Sequence, residues 1–351
     1  MRKDLDKRIQ DIPAYIWTRI AQIDEHKGLW TSYTRIPASV QNTLKQSVLI
    51  TSTGASTRIE GSALSDQDVE NLMRGISIDQ FADRDAQEVR GYYELLQNVF
   101  ESYGDIRFSE STVQHFHQEL LKYTEKDNHH RGAYKKVENK VHLVDQKGDP
   151  HEILFDTTPV YLTPIEMKTL MEWVYTSLQK KQTHPLITIA SCIVEFLHIH
   201  PFQDGNGRLS RILTNMLMLQ AGYSFMQYVS HEKIIEEQKQ GYYMALRKSQ
   251  KTFRTRNETI EPWLDFFTAR ILNQAHRAVE LLNNDYALET LSPIQLRVWE
   301  YVQKHSEVTP KQIAEELHIV RITVGQALEK LMSLNLIKRY GEGRATRYRK
   351  T

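Results

Sequence analysis

The stretch from Leu186 to Leu197 limits the fold more than any other part of the chain. Leu186, Ile187, Ile189, Ala190, Ile193, Val194, Phe196 and Leu197 fall on every face of a helical wheel. A helix that is apolar all round is stable only as the buried centre of a helical domain, so other helices must cover it. Such helices are plentiful. Ile9, Ile12, Ile16, Ile20 and Ile23 recur at spacings of three and four, predicting a helix interrupted or started near Pro13. Similar patterns predict helices over 37–50, 65–74, 86–100, 111–124 and 163–179, with 51–62 between or overlapping the first two. Thr163-Pro164 opens the last of these with proline at its first position. Helices are also expected from Arg208 to Gly222, over 232–248 and over 261–283. The texture changes once: Val141 and Leu143, then Ile153-Leu154-Phe155, flank Asp145-Gln146-Lys147-Gly148-Asp149, the pattern of a β-hairpin.

Asn283-Asn284-Asp285 reads as a linker or helix end. After it, helices over 291–305, 310–317 and 322–334 precede two strands, 336–339 and 345–349, joined across Gly341-Glu342-Gly343. Helix, helix, turn, helix, hairpin is the order of a winged helix-turn-helix. Lys338, Arg339, Arg344, Arg347, Arg349 and Lys350 make its end basic, suited to DNA phosphates. Its third helix is mixed, with Glu329 beside Arg321, Thr323, Gln326 and Lys330, and the same module also serves as a protein-docking unit. The predicted divisions are therefore 1–85, 86–285 and 286–351.

Composition narrows the function classes. With 45 Lys+Arg against 44 Asp+Glu the net charge is +1, so any nucleic-acid surface must be local. One cysteine, Cys192, excludes a disulfide framework and a thiolate metal cluster, and its place in the apolar helix suits inert core. The charged start, Met1 to Lys7, leads into no apolar stretch, and no run of 18 or so apolar residues occurs anywhere. The expectation is a cytoplasmic protein without a membrane span.

The residues with chemical potential follow the apolar helix directly: His200-Pro201-Phe202-Gln203-Asp204-Gly205-Asn206-Gly207-Arg208-Leu209-Ser210-Arg211. Gly205-Asn206-Gly207 at a helix start leaves amides free to face an anion, with no Cβ from either glycine in the way. Arg208 and Arg211 are further anion ligands, since a guanidinium fork matches phosphate. Asp204 is a hard oxygen ligand at the edge of that site, placed for Mg²⁺ bridging a di- or triphosphate. His200 can accept a proton from an attacking hydroxyl. The combination describes nucleotidyl or phosphoryl transfer without a P-loop. His198 and His200 do not form a metal pair, because positions two apart on a helix point to different sides.

This segment has the form HPFx(D/E)GNGRxxR and resembles the motif of the Fic-domain family, with a similarity extending over roughly residues 50–270. The resemblance implies a helical domain that uses ATP and Mg²⁺ to transfer AMP to a protein hydroxyl, releasing pyrophosphate. On it, His200 is the base, Asp204 the Mg²⁺ ligand, and Gly205, Asn206 and Gly207 the anion hole. Arg208 and Arg211 hold phosphates, and Phe202 is a core anchor. Ser56-Thr57-Arg58-Ile59-Glu60-Gly61 fits the family's inhibitory motif (S/T)xxxE(G/N), of the class in which the inhibitor lies N-terminal to the catalytic motif. Ser56 and Glu60 share a helix face at i, i+4, and Glu60 paired with Arg211 would deny that arginine to the γ-phosphate. Gly61 alone would also read as a helix C-cap. The hairpin resembles the family's flap, with Phe155, Asp156, Thr157 and Thr158 at its nucleotide-facing end. Tyr242 and Tyr243 correspond to the adenine pocket, with Gln250 reaching the nucleotide.

The resulting expectation is a mainly α protein: a helical Fic domain with a short β-hairpin flap, followed by a winged helix-turn-helix. It would be an autoinhibited adenylyltransferase acting on Ser, Thr or Tyr of a target protein or of itself. Two other readings stand beside it. One is a DNA-binding regulator whose Fic domain senses nucleotide; the other is a hydrolase that removes AMP. DNA or a protein as the winged helix's partner, and a homodimer, are compatible with each.

Overall fold

The computed structural model describes residues 2–32, 38–74, 84–144, 150–181, 183–289, 291–333, 336–341, 343 and 346–350. Two compact units divide the chain, Met1–Ala278 and Val279–Thr351. Fifteen α-helices and two antiparallel two-stranded sheets are found among the described residues. No helix among them is long and apolar enough to cross a membrane.

The first unit is built around two consecutive helices, α8 (Pro185–Ile199) and α9 (Asn206–Gln220). α8 is buried at every position from Leu186 to Leu197. Replacing one of its large apolar residues by alanine would cost about 2–5 kcal/mol. α7 (Thr163–Lys180) and α11 (Lys239–Gln250) cover α8, while α9 meets α3 (Ala38–Ile59), α5 (Arg84–Ser102) and α6 (Glu110–Leu120). α1 (Arg2–Lys7), α2 (Ala14–Ser32) and α4 (Asp66–Met73) complete the N-terminal part, which lies in the same compact unit as α8 and α9. The hairpin is β1 (Lys140–Val144) with β2 (Pro150–Asp156), paired from Lys140↔Asp156 to Val144↔Pro150 with two register shifts. Its turn, 145–149, and the side chains of Phe155 and Asp156 lie outside the described residues.

Three elements differ from the sequence expectation, each for a physical reason. α3 is one 22-residue helix rather than a helix ending near Ile50. Its second half buries Ser52, Thr53, Gly54, Ala55, Ser56 and Thr57, and small hydroxyl residues allow close packing without any apolar periodicity to reveal it. The helix expected over 232–248 is two, α10 (His231–Glu236) and α11. α10 packs on α3 and α11 on α8, directions that one straight helix does not serve together. Finally, α12 (Glu261–Glu289) runs through Asn283-Asn284-Asp285 instead of ending there, and the division between units falls within it.

The second unit contains α13 (Pro293–Gln303), α14 (Pro310–Leu317), α15 (Arg321–Ser333), β3 (Ile337–Tyr340) and β4 (Arg347–Lys350). Ser292 and Thr309 cap α13 and α14 through capping boxes with Gln295 and Gln312. α14 ends where His318 turns left-handed, at φ 54°. Val298, Trp299, Val302, Ile313, Val324 and Leu328 form its core with Ile337 and Tyr348 from the sheet. Arg344 and Glu342 of the connection lie outside the described residues.

Candidate active site

α8 ends at His200, whose backbone is left-handed at φ 49°, a conformation that costs a non-glycine residue free energy. Its N–H donates to Phe196 O at 2.9 Å, closing the helix. The ring is half-buried, and Nδ1 lies 3.3 Å from Leu197 O. A carbonyl can only accept, so Nδ1 carries the proton and Nε2 keeps its lone pair. Burial pulls the imidazole down to about 4, with Lys135 acting in the same direction. His200 is thus a neutral base with its acceptor nitrogen defined.

The loop from Pro201 to Gly205 is pinned from inside. Phe202 is fully buried, its ring stacked on His117 with centroids 3.8 Å apart. The Asn206 side chain accepts from Phe202 N at 3.0 Å and donates to Phe202 O at 2.8 Å. The amide group of Asn206 therefore shapes the loop, and its contribution to an anion hole is its backbone N–H. His117 reinforces this. It accepts from Gly132 N at Nδ1, 2.9 Å, which leaves Nε2–H to donate to Asp204 O at 3.0 Å. Gly205 follows at φ 77°, and α9 begins. The first-turn N–H groups of α9, from Asn206 to Arg208, have no intrahelical acceptor and form the positive end of the helix dipole.

Arg211, one turn further on, is 2% exposed. Its Nε donates to Ser56 Oγ at 2.8 Å, and Nη2 donates to Ser56 O at 2.9 Å and to Glu60 Oε1 at 2.7 Å. Burial opposes its charge, but Glu60 and nearby tyrosines raise the guanidinium's pKa further. Nη1 has no hydrogen-bond partner and would lie 3.4 Å from a Cβ placed on Gly207. That same Cβ would run into Glu60 Oε1, so the carboxylate lies directly over the glycine at the start of α9. The end of α3 presents it there. Gly61 turns the chain at φ 108° and donates to Arg58 O at 3.1 Å, so the C-terminal turn and the Glu60 contact coexist. Arg58 anchors the turn to Glu236 and Asp66.

Arg208 goes elsewhere. It is buried, forms an ion pair with Glu88 of α5 at 2.5 Å, and reaches Asp204 Oδ2 at 3.2 Å. Arg84 contacts the same Asp204 oxygen at 2.8 Å. Burial works to raise the Asp204 pKa, but Arg208, the Gly205 N–H and Arg84 together hold it below the usual range. This single, partly exposed carboxylate suits a hard cation that arrives with phosphate ligands of its own. Among the described residues no group of three or more His, Cys, Asp or Glu converges on one point.

The remaining expected residues divide. Thr157 Oγ1 donates to Asn139 O at 2.8 Å and accepts from Lys135 Nζ at 2.9 Å, at the foot of the hairpin. Thr158 is buried and donates to Glu166 of α7 at 2.5 Å, so its hydroxyl serves packing. Tyr242 is buried against Tyr243, Trp263 and Phe266. Tyr243 OH donates to Ile59 O at 3.4 Å, next to Glu60. Gln250 donates to Val194 O at 3.2 Å, tying α11 to α8.

Residues 107–218 match the Fic/DOC family. This segment is a Fic domain. The Fic domain contains α8, the loop and nearly all of α9; Ser56, Glu60 and Gly61 lie outside the matched segment. Curated relatives called protein adenylyltransferase Fic are similar over short stretches. That of Aedes aegypti is 43% identical over 63 residues, 17% of this chain and 13% of its own length. That of Culex quinquefasciatus is 52% identical over 40 residues, 11% of this chain and 8% of its own. The chain thus spans about a tenth of the length of the curated relatives it matches. A solved Fic family protein from Desulfovibrio desulfuricans G20 covers 97% of both chains with TM-score 0.64 and 21% identity. Fic-1 (aa134–508) from C. elegans covers 76% of this chain and 74% of its own with TM-score 0.59 and 17% identity. At these identities the likeness is one of fold.

Several residues that shape the site gave no sequence signal. Lys135, Asn139 and His117 are far from the motif in sequence. Lys135, beside Lys136 in a polar stretch, reads as a surface residue, yet it is 3% exposed.

Proposed function

We propose that this protein transfers AMP from ATP to a hydroxyl side chain of a protein, itself included, and that Glu60 restrains the reaction. The observation that carries the reading is the Glu60 carboxylate. It lies over Gly207 at the start of α9 and on the Arg211 fork, an anion on the charges suited to a terminal phosphate. When Glu60 withdraws, Arg211 and the α9 amides are free to hold the triphosphate extended, with its α-phosphorus toward His200. His200 Nε2 takes the proton of the target hydroxyl as its oxygen attacks the α-phosphorus. The bond to the bridging oxygen breaks, and pyrophosphate leaves with that electron pair. Asp204 is the carboxylate that would hold a Mg²⁺ brought with the triphosphate, which would supply neutralising charge there. The β1–β2 hairpin offers a strand edge on which a target segment could align.

The test is transfer of label from α-labelled ATP by the wild type, Glu60→Gly and Glu60→Gly/His200→Ala. The reading expects weak, strong and no label on protein, respectively. No label with any of the three contradicts it. Loss of AMP from a modified target only when Glu60 is present would assign the reverse reaction instead.

A second reading concerns the unit Val279–Thr351. Lys338, Arg339, Arg349 and Lys350 are exposed on its sheet, with Arg321 exposed at the start of α15, an arrangement suited to nucleic-acid phosphates in a winged helix. Salt-dependent DNA binding by the full chain would support it, and binding with no salt dependence would not.

A further inference from the structure

The buried lysine beside the catalytic loop has no part in the scheme above. We infer that Lys135 is a positioning residue, whose ammonium fastens both feet of the β1–β2 hairpin to the backbone that carries His200. The inference rests on the transfer reading and names what holds its base in place.

Lys135 grips the chain on either side of His200. Its backbone N–H donates to Pro201 O at 2.8 Å, and its Nζ donates to Ile199 O at 3.1 Å. The residue between those carbonyls is the one in the left-handed conformation. The same Nζ donates to Asn139 Oδ1 and to Thr157 Oγ1, both at 2.9 Å. Asn139 immediately precedes β1 and Thr157 immediately follows β2. Asn139 also donates to Phe202 O at 2.9 Å, and Thr158 N donates to His198 O at 3.2 Å. Hairpin and base are therefore joined by these two bonds and by one atom, Lys135 Nζ, whose three donors meet three acceptors.

The choice of residue supports this. A cation buried this deeply is costly unless its donors are all engaged, and every acceptor here is neutral. For packing alone, an uncharged chain of the same length would serve better. Arginine does not substitute, since its planar fork cannot send three donors from one atom to three directions. With its three N–H groups engaged, the ammonium is not poised as a nucleophile.

The experiment compares Lys135→Met and Lys135→Arg in the Glu60→Gly background. Misplacing the base should lower kcat about ten- to hundredfold while the KM for ATP stays within about threefold. Limited proteolysis should cut the hairpin faster in both variants. The charged groups acting on the His200 ring are Lys135, Glu60 and Asp204. Removing the cation favours the protonated imidazole, so the acid limb of kcat moves to higher pH in Lys135→Met and stays in place in Lys135→Arg. Unchanged kcat in Lys135→Met overturns the inference. So does a joint loss of kcat and ATP affinity with the acid limb unmoved, the sign of packing alone. If Lys135→Met does not fold, Thr157→Val removes one of the three Nζ acceptors, along with the hydroxyl's own bond to Asn139, and should give a smaller loss of kcat; no loss overturns the inference. Should the Glu60→Gly parent transfer nothing, the functional reading fails separately. The His200 pKa by NMR and hairpin cleavage, neither needing turnover, then decide Lys135.

Discussion

Replacing Glu60 by glycine removes one carboxylate and leaves the rest of the cradle in place. Its magnitude follows from the contact it deletes. The Glu60–Arg211 bond is charge-assisted, at 2.7 Å, a class worth about 1.5–3 kcal/mol. The arginine side chain is 2% exposed but the glutamate is 34% exposed, so solvent weakens the pair and the lower half of that range applies. At about 1.4 kcal/mol per factor of ten, release of that contact raises the productive population about 10- to 50-fold. The rate of AMP transfer at saturating ATP should rise by that factor. Glu60→Gln, which keeps the shape and drops the charge, should fall between the two. A second signature distinguishes this from general loosening. Without Glu60 the buried Arg211 keeps only its Ser56 partners, so the nucleotide-free variant should melt below the wild type and gain more from ATP. The assay is initial-rate transfer of labelled AMP, with thermal melting of the same preparations. A Glu60→Gly rate within twofold of wild type, with equal ATP stabilisation, would mean that Glu60 does not restrain transfer.

Other outcomes follow from the same geometry. His200→Ala should lower transfer by a factor on the order of 100–10,000 while ATP still stabilises the protein, as calorimetry and melting would show. The buried His117 is held neutral, burial pulling it down to about 4. Its folded pKa lies below the unfolded value near 6.5, so the unfolded state binds more protons between them. The stability contributed by its burial is therefore full above about pH 6.5 and falls by up to about 3 kcal/mol toward pH 4, and His117→Gln should reduce the slope by that share in denaturant titrations.

The arrangement of the segment from His200 to Arg211 was legible because its residues are consecutive. A buried helix, a glycine-flanked loop and a second helix bring His200, Asp204 and Arg211 together with no long-range information needed. Glu60 was legible through i, i+4 geometry with Ser56, both converging on one arginine. Arg208 was not, because its partner Glu88 lies on α5, which sequence order does not connect to α9. Thr158 and Gln250 likewise spend their side chains on neighbouring helices. The length of α3 was hidden because the residues it buries from 52 to 57 are all Ser, Thr, Gly and Ala. The break between α10 and α11 was hidden because two different helices claim the two halves. Lys135 was invisible for the strongest reason: burial of a lysine depends on acceptors supplied by Asn139, Thr157 and Ile199, and no local pattern encodes that.

The most direct test is a crystal structure of the Glu60→Gly protein with Mg²⁺ and a non-hydrolysable ATP analogue. The terminal phosphoryl group is expected on Arg211 and the first-turn amides of α9, with the α-phosphorus facing His200 Nε2. A triphosphate bound away from Gly207 and Arg211, or an imidazole turned from the α-phosphorus, would contradict the transfer reading.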